Sequence, residues 1–175
     1  VCLVLETEEE ANRRGVTLYA EFLGWGQASD GHNVAISHPE GRGLEDAMRK
    51  ALCDTGTEPS QIDYVNAHAP STPIGDASEL CAIKKVFPEP QSISFSSTKA
   101  LTGHGLSLSS IMEAGFCCLA LRDGFLPGSA NVDEPDDSIG HLDLLRETID
   151  RQAERILSNS SGFGGANVSL LFGRT

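Results

Sequence analysis

The chain has 175 residues, 39% of them hydrophobic and 22% charged, the proportions of an ordinary soluble globular domain with its own core. Its 13 basic against 25 acidic residues leave a net charge of −12, which argues against a nucleic-acid partner, because phosphate binding needs concentrated positive charge. No apolar run approaches the roughly 20 residues that span a bilayer, and no basic segment leads into an apolar stretch of signal-peptide type, so the reading is a cytoplasmic protein with no membrane partner.

Val1–Glu6 reads as a buried strand, and an opening on such a run without Met reads as a fragment cut close to a strand. Thr7 with Glu10 resembles a capping box that opens a short helix ended by Gly15. Thr17–Gly26 carries alternating β-formers and reads as a strand, and Gly31–Gly43 as a loop. Leu44–Thr55 has helical spacing, with Leu44, Ala47, Met48, Ala51 and Leu52 on one face and a stop at Gly56. Ile62–Asn66 is a short buried strand, Asp76–Phe87 a helix N-capped by Asp76 and halted before Pro88, and Ile93–Ser96 another strand.

Leu106–Arg122 is the longest predicted helix, with Leu108, Ile111, Met112, Gly115, Phe116, Leu119 and Ala120 along one face and small residues over much of the rest, so it is placed centrally. Pro127–Asp137 is loop, Leu142–Leu145 and Arg155–Ser160 read as strands, and Ala166–Phe172 alternates as a last one, joined to its predecessor through Gly162-Phe163-Gly164-Gly165. Strand–helix–strand units closed by an antiparallel terminal pair predict an α/β fold with a mixed sheet covered by helices. The five cysteines, Cys2, Cys53, Cys81, Cys117 and Cys118, form no CxxC pair and sit in apolar or helical contexts, which predicts buried, reduced thiols.

Three places could carry chemistry. Val65–Pro73 ends a buried strand and delivers His68 to a hydroxyl-rich loop, at the end of the sheet where α/β proteins bind ligands; alone, it reads equally as a turn around a hydrogen-bonded histidine. Ser96–His104 sets Lys99 and His104 just ahead of the long helix, whose N-terminal partial charge favours a neutral, hydrogen-bond-donating imidazole, though a helix-capping loop explains the stretch as well. Asn159–Asn167 places three glycines around Phe163, as close approach to a ligand or a tight hairpin would require. Two imidazoles arriving from separate strand ends suit one task, donating hydrogen bonds to a thioester oxygen as negative charge grows on it. The histidines have no metal-ligand spacing on one element, and there is no P-loop and no GxGxxG.

These stretches resemble a known family. Val65–Asp76 is similar to the β-ketoacyl synthase signature N-A-H-G-T-S-T-P followed by G-D, Ser97–His104 to its S-x-T-K-x-x-T-G-H, and Ser158–Asn167 to its N-S-F-G-F-G-G-T-N ending, with Glu113 where the family carries a Glu in the following helix. The resemblance covers essentially the whole chain and is greatest to elongating synthases of types I and II. It implies the C-terminal half of a thiolase-like αβαβα fold, with residues 1–16 ending the N-terminal half and residues 17–175 forming the C-terminal domain. It implies decarboxylative Claisen condensation of malonyl and acyl thioesters in fatty-acid or polyketide synthesis. The partners implied are acyl carrier protein, the missing N-terminal half and a second subunit in a homodimer; no cofactor is implied beyond the phosphopantetheine of the carrier protein.

Carried over by residue, His68 and His104 would bind the malonyl carbonyl, Lys99 and Glu113 would hold the protonation and orientation of the site, Ser71 and Thr72 would lie along the phosphopantetheine arm, and Phe163 would gate the acyl pocket. The chain departs from the family at Ala69-Pro70 in place of Gly-Thr, at Ser161 in place of Phe, at Ala166 in place of Thr, and at Ser107–Ser110 where a Gly/Ala-rich run is usual. No cysteine has the small-residue turn of the family nucleophile, so the isolated chain is expected to be inactive. A non-condensing homologue such as a chain-length factor, or an independent binding domain, are the alternative readings.

Overall fold

The glycine stop signals hold in the computed structural model, which describes residues 1–175. Helix α1 (Glu8–Arg14) is opened by Thr7, whose hydroxyl accepts the Glu10 N–H, and closed by Gly15 in the left-handed region at φ 64°. Glu10 does not complete the reciprocal cap, because its carboxylate takes the Arg13 guanidinium instead. Strand β1 (Glu21–Ser29) follows, then helix α2 (Arg42–Thr55), which buries Leu44, Ala47, Met48, Ala51 and Leu52, the face that the periodicity predicts, and is capped by Gly56. A Cβ on Gly26 would lie 2.0 Å from the Ala47 carbonyl oxygen, so only glycine lets β1 and α2 pack this closely.

The remaining elements are β2 (Tyr64–Asn66), α3 (Pro73–Val86), β3 (Ser94–Ser96), α4 (Lys99–Thr102), α5 (Ser107–Asp123), β4 (Phe125–Leu126), β5 (Asp143–Leu144), β6 (Ile149–Asp150), β7 (Arg155–Gly162) and β8 (Ala166–Gly173). Six strands form one sheet in the order β1-β8-β7-β2-β3-β5. β8 pairs antiparallel with both β1 and β7, while β7, β2, β3 and β5 pair in parallel, so the sheet is mixed as expected. A two-stranded ribbon of β4 and β6 was not foreseen, since each strand has only two residues and no period to read.

Successive strand residues point to opposite faces, and both faces are covered. Val65, Leu157 and Leu171 join Leu44, Met48, Ile83 and Phe87 in the core under α2 and α3, whereas Tyr64, Ile156 and Phe172 meet Cys117, Ala120 and Leu121 under α5. β2 and β3 are adjacent parallel strands inside the sheet, and both deliver their C-terminal ends to the same edge of the molecule.

Several sequence expectations are corrected. Val1–Glu6 is not a strand and is not buried: it pairs with no edge of the sheet, and Val1, Val4 and Leu5 are 70%, 83% and 72% exposed. β1 begins at Glu21 rather than Thr17 and runs on to Ser29, because its register with β8, from Glu21 opposite Gly173 to Ser29 opposite Ala166, sets its span. α3 begins at Pro73 with Thr72 at the N-cap; Asp76 lies inside the first turn, where its carboxylate accepts the Thr72 N–H at 3.1 Å.

The predicted long helix is α5, and the face it buries carries Ser109, Glu113, Ala114, Cys117, Ala120 and Leu121. Along the predicted stripe Ala120 is buried, Ile111, Met112, Gly115, Phe116 and Leu119 are half-buried, and Leu108 is 45% exposed. Small side chains let the helix approach the sheet closely, and Glu113 goes inside because it meets a lysine there, which hydrophobic periodicity does not register. Cys2 and Cys53 are exposed rather than buried, while Cys117 is buried; all five cysteines are free thiols.

Candidate active site

The candidate histidines sit on the segments that follow β2 and β3 at this shared edge. After β2, the chain turns through Ala69 and Ser71, both non-glycine residues at positive φ, 24° and 69°. Glu79 of α3 holds this turn in place. It is buried, and its two carboxylate oxygens accept the backbone N–H groups of His68 at 3.0 Å and Ala69 at 2.7 Å. The Asn159 amide donates to the same carboxylate at 3.3 Å, and the Asn159 carbonyl oxygen in turn accepts the Ser169 hydroxyl. Burial pushes the Glu79 carboxyl up, and the N–H donors around it pull it partly back. Sequence reasoning missed Glu79, although a signal was present: it shares the α3 face of Ala82, Ile83 and Val86, and a glutamate on a core-facing stripe must have partners.

After β3, the one-turn helix α4 opens with Lys99, and the loop before α5 carries His104. Lys99 Nζ bonds Glu113 Oε1, with both side chains buried. Burial raises the Glu113 carboxyl, while Lys99 pulls it down. The rings of His68 and His104 meet edge to face, with centroids 5.2 Å apart and planes at 82°. The Leu106 N–H approaches His104 Nδ1 at 3.3 Å, a long hydrogen bond. His68 Nδ1 is buried with no hydrogen-bond partner in the protein.

His68 is held neutral. Burial first, then the positive charge of Lys99 and the nearby His104, push its pKa down to about 3 from 6.5. This shift has a consequence for folding. Above pH 6.5 neither the folded nor the unfolded chain protonates this ring. As pH falls from 6.5 toward 3 only the unfolded chain does, so stability is lost over that window at about 1.4 kcal/mol per pH unit. Urea unfolding of the wild type and His68→Gln is therefore expected to show the wild type losing about 2 kcal/mol more than the variant between pH 6.5 and pH 5. Equal losses would show that His68 is not the group responsible.

His68, His104, Thr72 and Phe163 line one cleft of about 450 Å³. Phe163 stands at the tip of the β7–β8 connection, 78% exposed, and the next residue, Gly164 at φ 80°, donates its N–H to the Val34 carbonyl at 2.7 Å. Thr72 lies on the cleft wall, whereas Ser71 does not line it. Lys99 and Glu113 sit behind the histidines and do not line the cleft either. Ser161, in place of the expected Phe, donates to Asn167 Oδ1 at 2.7 Å, and the Asn167 amide donates to Asp30 at 2.9 Å, so the substitution is absorbed into a polar network. No cysteine lines the cleft; burial pushes the thiols of Cys117 and Cys118 up, away from the reactive thiolate.

A mixed sheet between helical layers, with its ligand-facing loops at the ends of the parallel strands, has the architecture of the thiolase-like α/β proteins. Residues 19–133 match the family described as β-ketoacyl synthase, C-terminal domain, and the chain belongs to the β-ketoacyl synthase family. It is 46% identical over 174 residues to the mitochondrial 3-oxoacyl-[acyl-carrier-protein] synthase of Arabidopsis thaliana, an alignment covering 97% of this chain and 38% of the relative. It is 41% identical over 169 residues to 3-oxoacyl-[acyl-carrier-protein] synthase 1 of Escherichia coli strain K12, covering 97% of this chain and 40% of that protein. Among solved structures, a type II PKS acyl-carrier protein in complex with its ketosynthase, bound to the hexaketide, matches with a TM-score of 0.93 at 28% identity over 97% of this chain and 42% of that one. The chain thus spans about two-fifths of the length of the curated relatives it matches.

Proposed function

We propose that this chain forms the carbonyl-binding part of a 3-oxoacyl-[acyl-carrier-protein] synthase, the larger protein catalysing decarboxylative Claisen condensation. The observation that carries the reading is the meeting of the His68 and His104 rings at 5.2 Å, on loops that follow neighbouring parallel strands. A malonyl thioester oxygen set between them would receive N–H donors while the C–CO2 bond breaks and its electron pair moves into the enolate. The enolate carbon then attacks an acyl thioester on a cysteine outside this chain, forming the new carbon–carbon bond and expelling the cysteine thiolate. A neutral His68 suits this work: it donates without adding a full positive charge beside Lys99.

In this reading, Lys99 and Glu113 hold the site from behind, Thr72 and Ser71 flank the phosphopantetheine arm, and Phe163 covers the acyl end. The partner is acyl carrier protein, which is bound to its ketosynthase in a solved complex that the chain resembles, and the whole enzyme is proposed as a homodimer. No resident cofactor takes part. No helix of the chain is long and apolar enough to cross a membrane.

The test uses malonyl- and acyl-carrier protein as substrates. The complete synthase containing this chain should release CO2 and yield a 3-oxoacyl product by mass spectrometry, while the 175-residue chain alone should yield none. Condensation by the chain alone, or none by the complete protein, would overturn the reading.

A further inference from the structure

The loop that carries His104 has little to hold it. Thr102 to Leu108 are all exposed, and the segment bends through positive φ at Gly103, 71°, and Leu106, 53°. One buried side chain reaches into it, that of Ser109 in the first turn of α5, which is 1% exposed. Its hydroxyl oxygen accepts the Gly105 N–H at 2.9 Å and lies 3.0 Å from His104 Nδ1.

A serine hydroxyl has one proton and two lone pairs. With a backbone N–H already directed at the oxygen, the hydroxyl proton is free to point at Nδ1. The Leu106 N–H approaches the same nitrogen from the other side, more distantly at 3.3 Å. Two donors converging on Nδ1 leave no room for a proton there, which places it on Nε2. We propose that Ser109 is a positioning residue for His104: its hydroxyl selects the Nε2–H tautomer and, through Gly105, anchors an otherwise exposed loop. The catalytic consequence of this assignment rests on the function proposed above; the structural assignment does not. Without the serine, the longer Leu106 contact would be the one donor left at Nδ1, too weak to hold a single tautomer, and the ring would lose its hydrogen bond to a buried side chain.

Ser109→Ala is the direct probe, since alanine is nearly the same size and favours helix, so α5 should form normally. The measurement is the tautomer state, read from long-range 1H–15N NMR spectra of the full chain labelled with 15N-histidine at pH 7.5. Wild-type His104 should show a protonated Nε2 and an unprotonated Nδ1. S109A should show averaging of the two nitrogen shifts at His104 with those of His68 unchanged, and Ser109→Thr, which keeps the hydroxyl, should restore the wild-type pattern. In the complete synthase, S109A should lower kcat roughly tenfold to a hundredfold with KM for malonyl-carrier protein little changed, as expected when an aligned group is loosened. A proton on Nδ1 in the wild type, or an unaltered Nε2–H tautomer in S109A, would overturn the proposal. A tautomer shift in S109A beside full activity in His104→Ala would uphold the Ser109 assignment and overturn the catalytic reading of His104 instead.

Discussion

Replacing Lys99 with Met is expected to cost about 3–5 kcal/mol of unfolding free energy at neutral pH, the range for breaking a buried ion pair from one side. Lys99 and Glu113 are 7% and 0% exposed, and the Lys99 ammonium is the only hydrogen-bond partner that the Glu113 carboxylate has. Once the lysine is gone, Glu113 must either stay charged in an apolar setting or take up a proton. Its carboxyl is already raised by burial, and losing the Lys99 attraction raises it further.

The pH dependence has a definite sign. A carboxyl whose folded pKa lies above its unfolded value of 4.5 destabilises the fold when pH exceeds the folded pKa, and that penalty fades as pH falls toward 4.5. The gap between Lys99→Met and wild type should therefore shrink from pH 7 to pH 5. Removing Lys99 also relieves His68 of a neighbouring positive charge, which narrows the gap further at the acid end. The double variant Lys99→Met/Glu113→Leu should lose less than the single one, because no charge is left unpaired. Urea midpoints for the three proteins at the two pH values decide the matter. A single variant no worse than the double, with no change in the gap, would show that the pair is not a buried ion pair in solution.

What was legible in the sequence follows from which signals are local. Gly15 and Gly56 ended their helices as read, since a left-handed C-cap depends on one residue, and the stripe from Leu44 to Leu52 faced inward because one sheet face sets it. The meeting of His68 and His104 was legible too, as two strand ends with polar loops, although only the pairing of β2 with β3 brings those ends together. What failed depends on partners distant in sequence. Val1–Glu6 has strand composition but pairs with neither edge strand of the sheet, β1 or β5. The burial of Glu113 on α5 has no hydrophobic signal, because a glutamate counts as polar until Lys99 is found beside it, fourteen residues earlier. Glu79 and Ser109 escaped notice for the same reason: each is a polar residue on a buried helix face whose partners are backbone N–H groups of a loop, and amides carry no residue-type signal.

On the function proposed above, replacing either His68 or His104 with Ala in the complete synthase is expected to lower kcat for malonyl-carrier decarboxylation roughly 100- to 1000-fold, the cost of losing one donor from an oxyanion site. The two rings meet at 5.2 Å centroid separation, so both can address one oxygen, and each loss should fall on the step in which charge grows there. Transfer of the acyl chain to the nucleophilic cysteine places its charge on a different carbonyl and should suffer far less. Losses in the double variant should be smaller than the product of the single losses, because the two donors act on the same charge as a unit. Asparagine retains an N–H donor at a shorter reach, so His104→Asn should recover part of the rate that His104→Ala loses. Rapid-quench measurement of CO2 release and of acyl transfer separates the half-reactions. If both steps fell equally, the histidines would be holding the fold of the cleft rather than the enolate oxygen; if neither fell, the carbonyl would bind elsewhere.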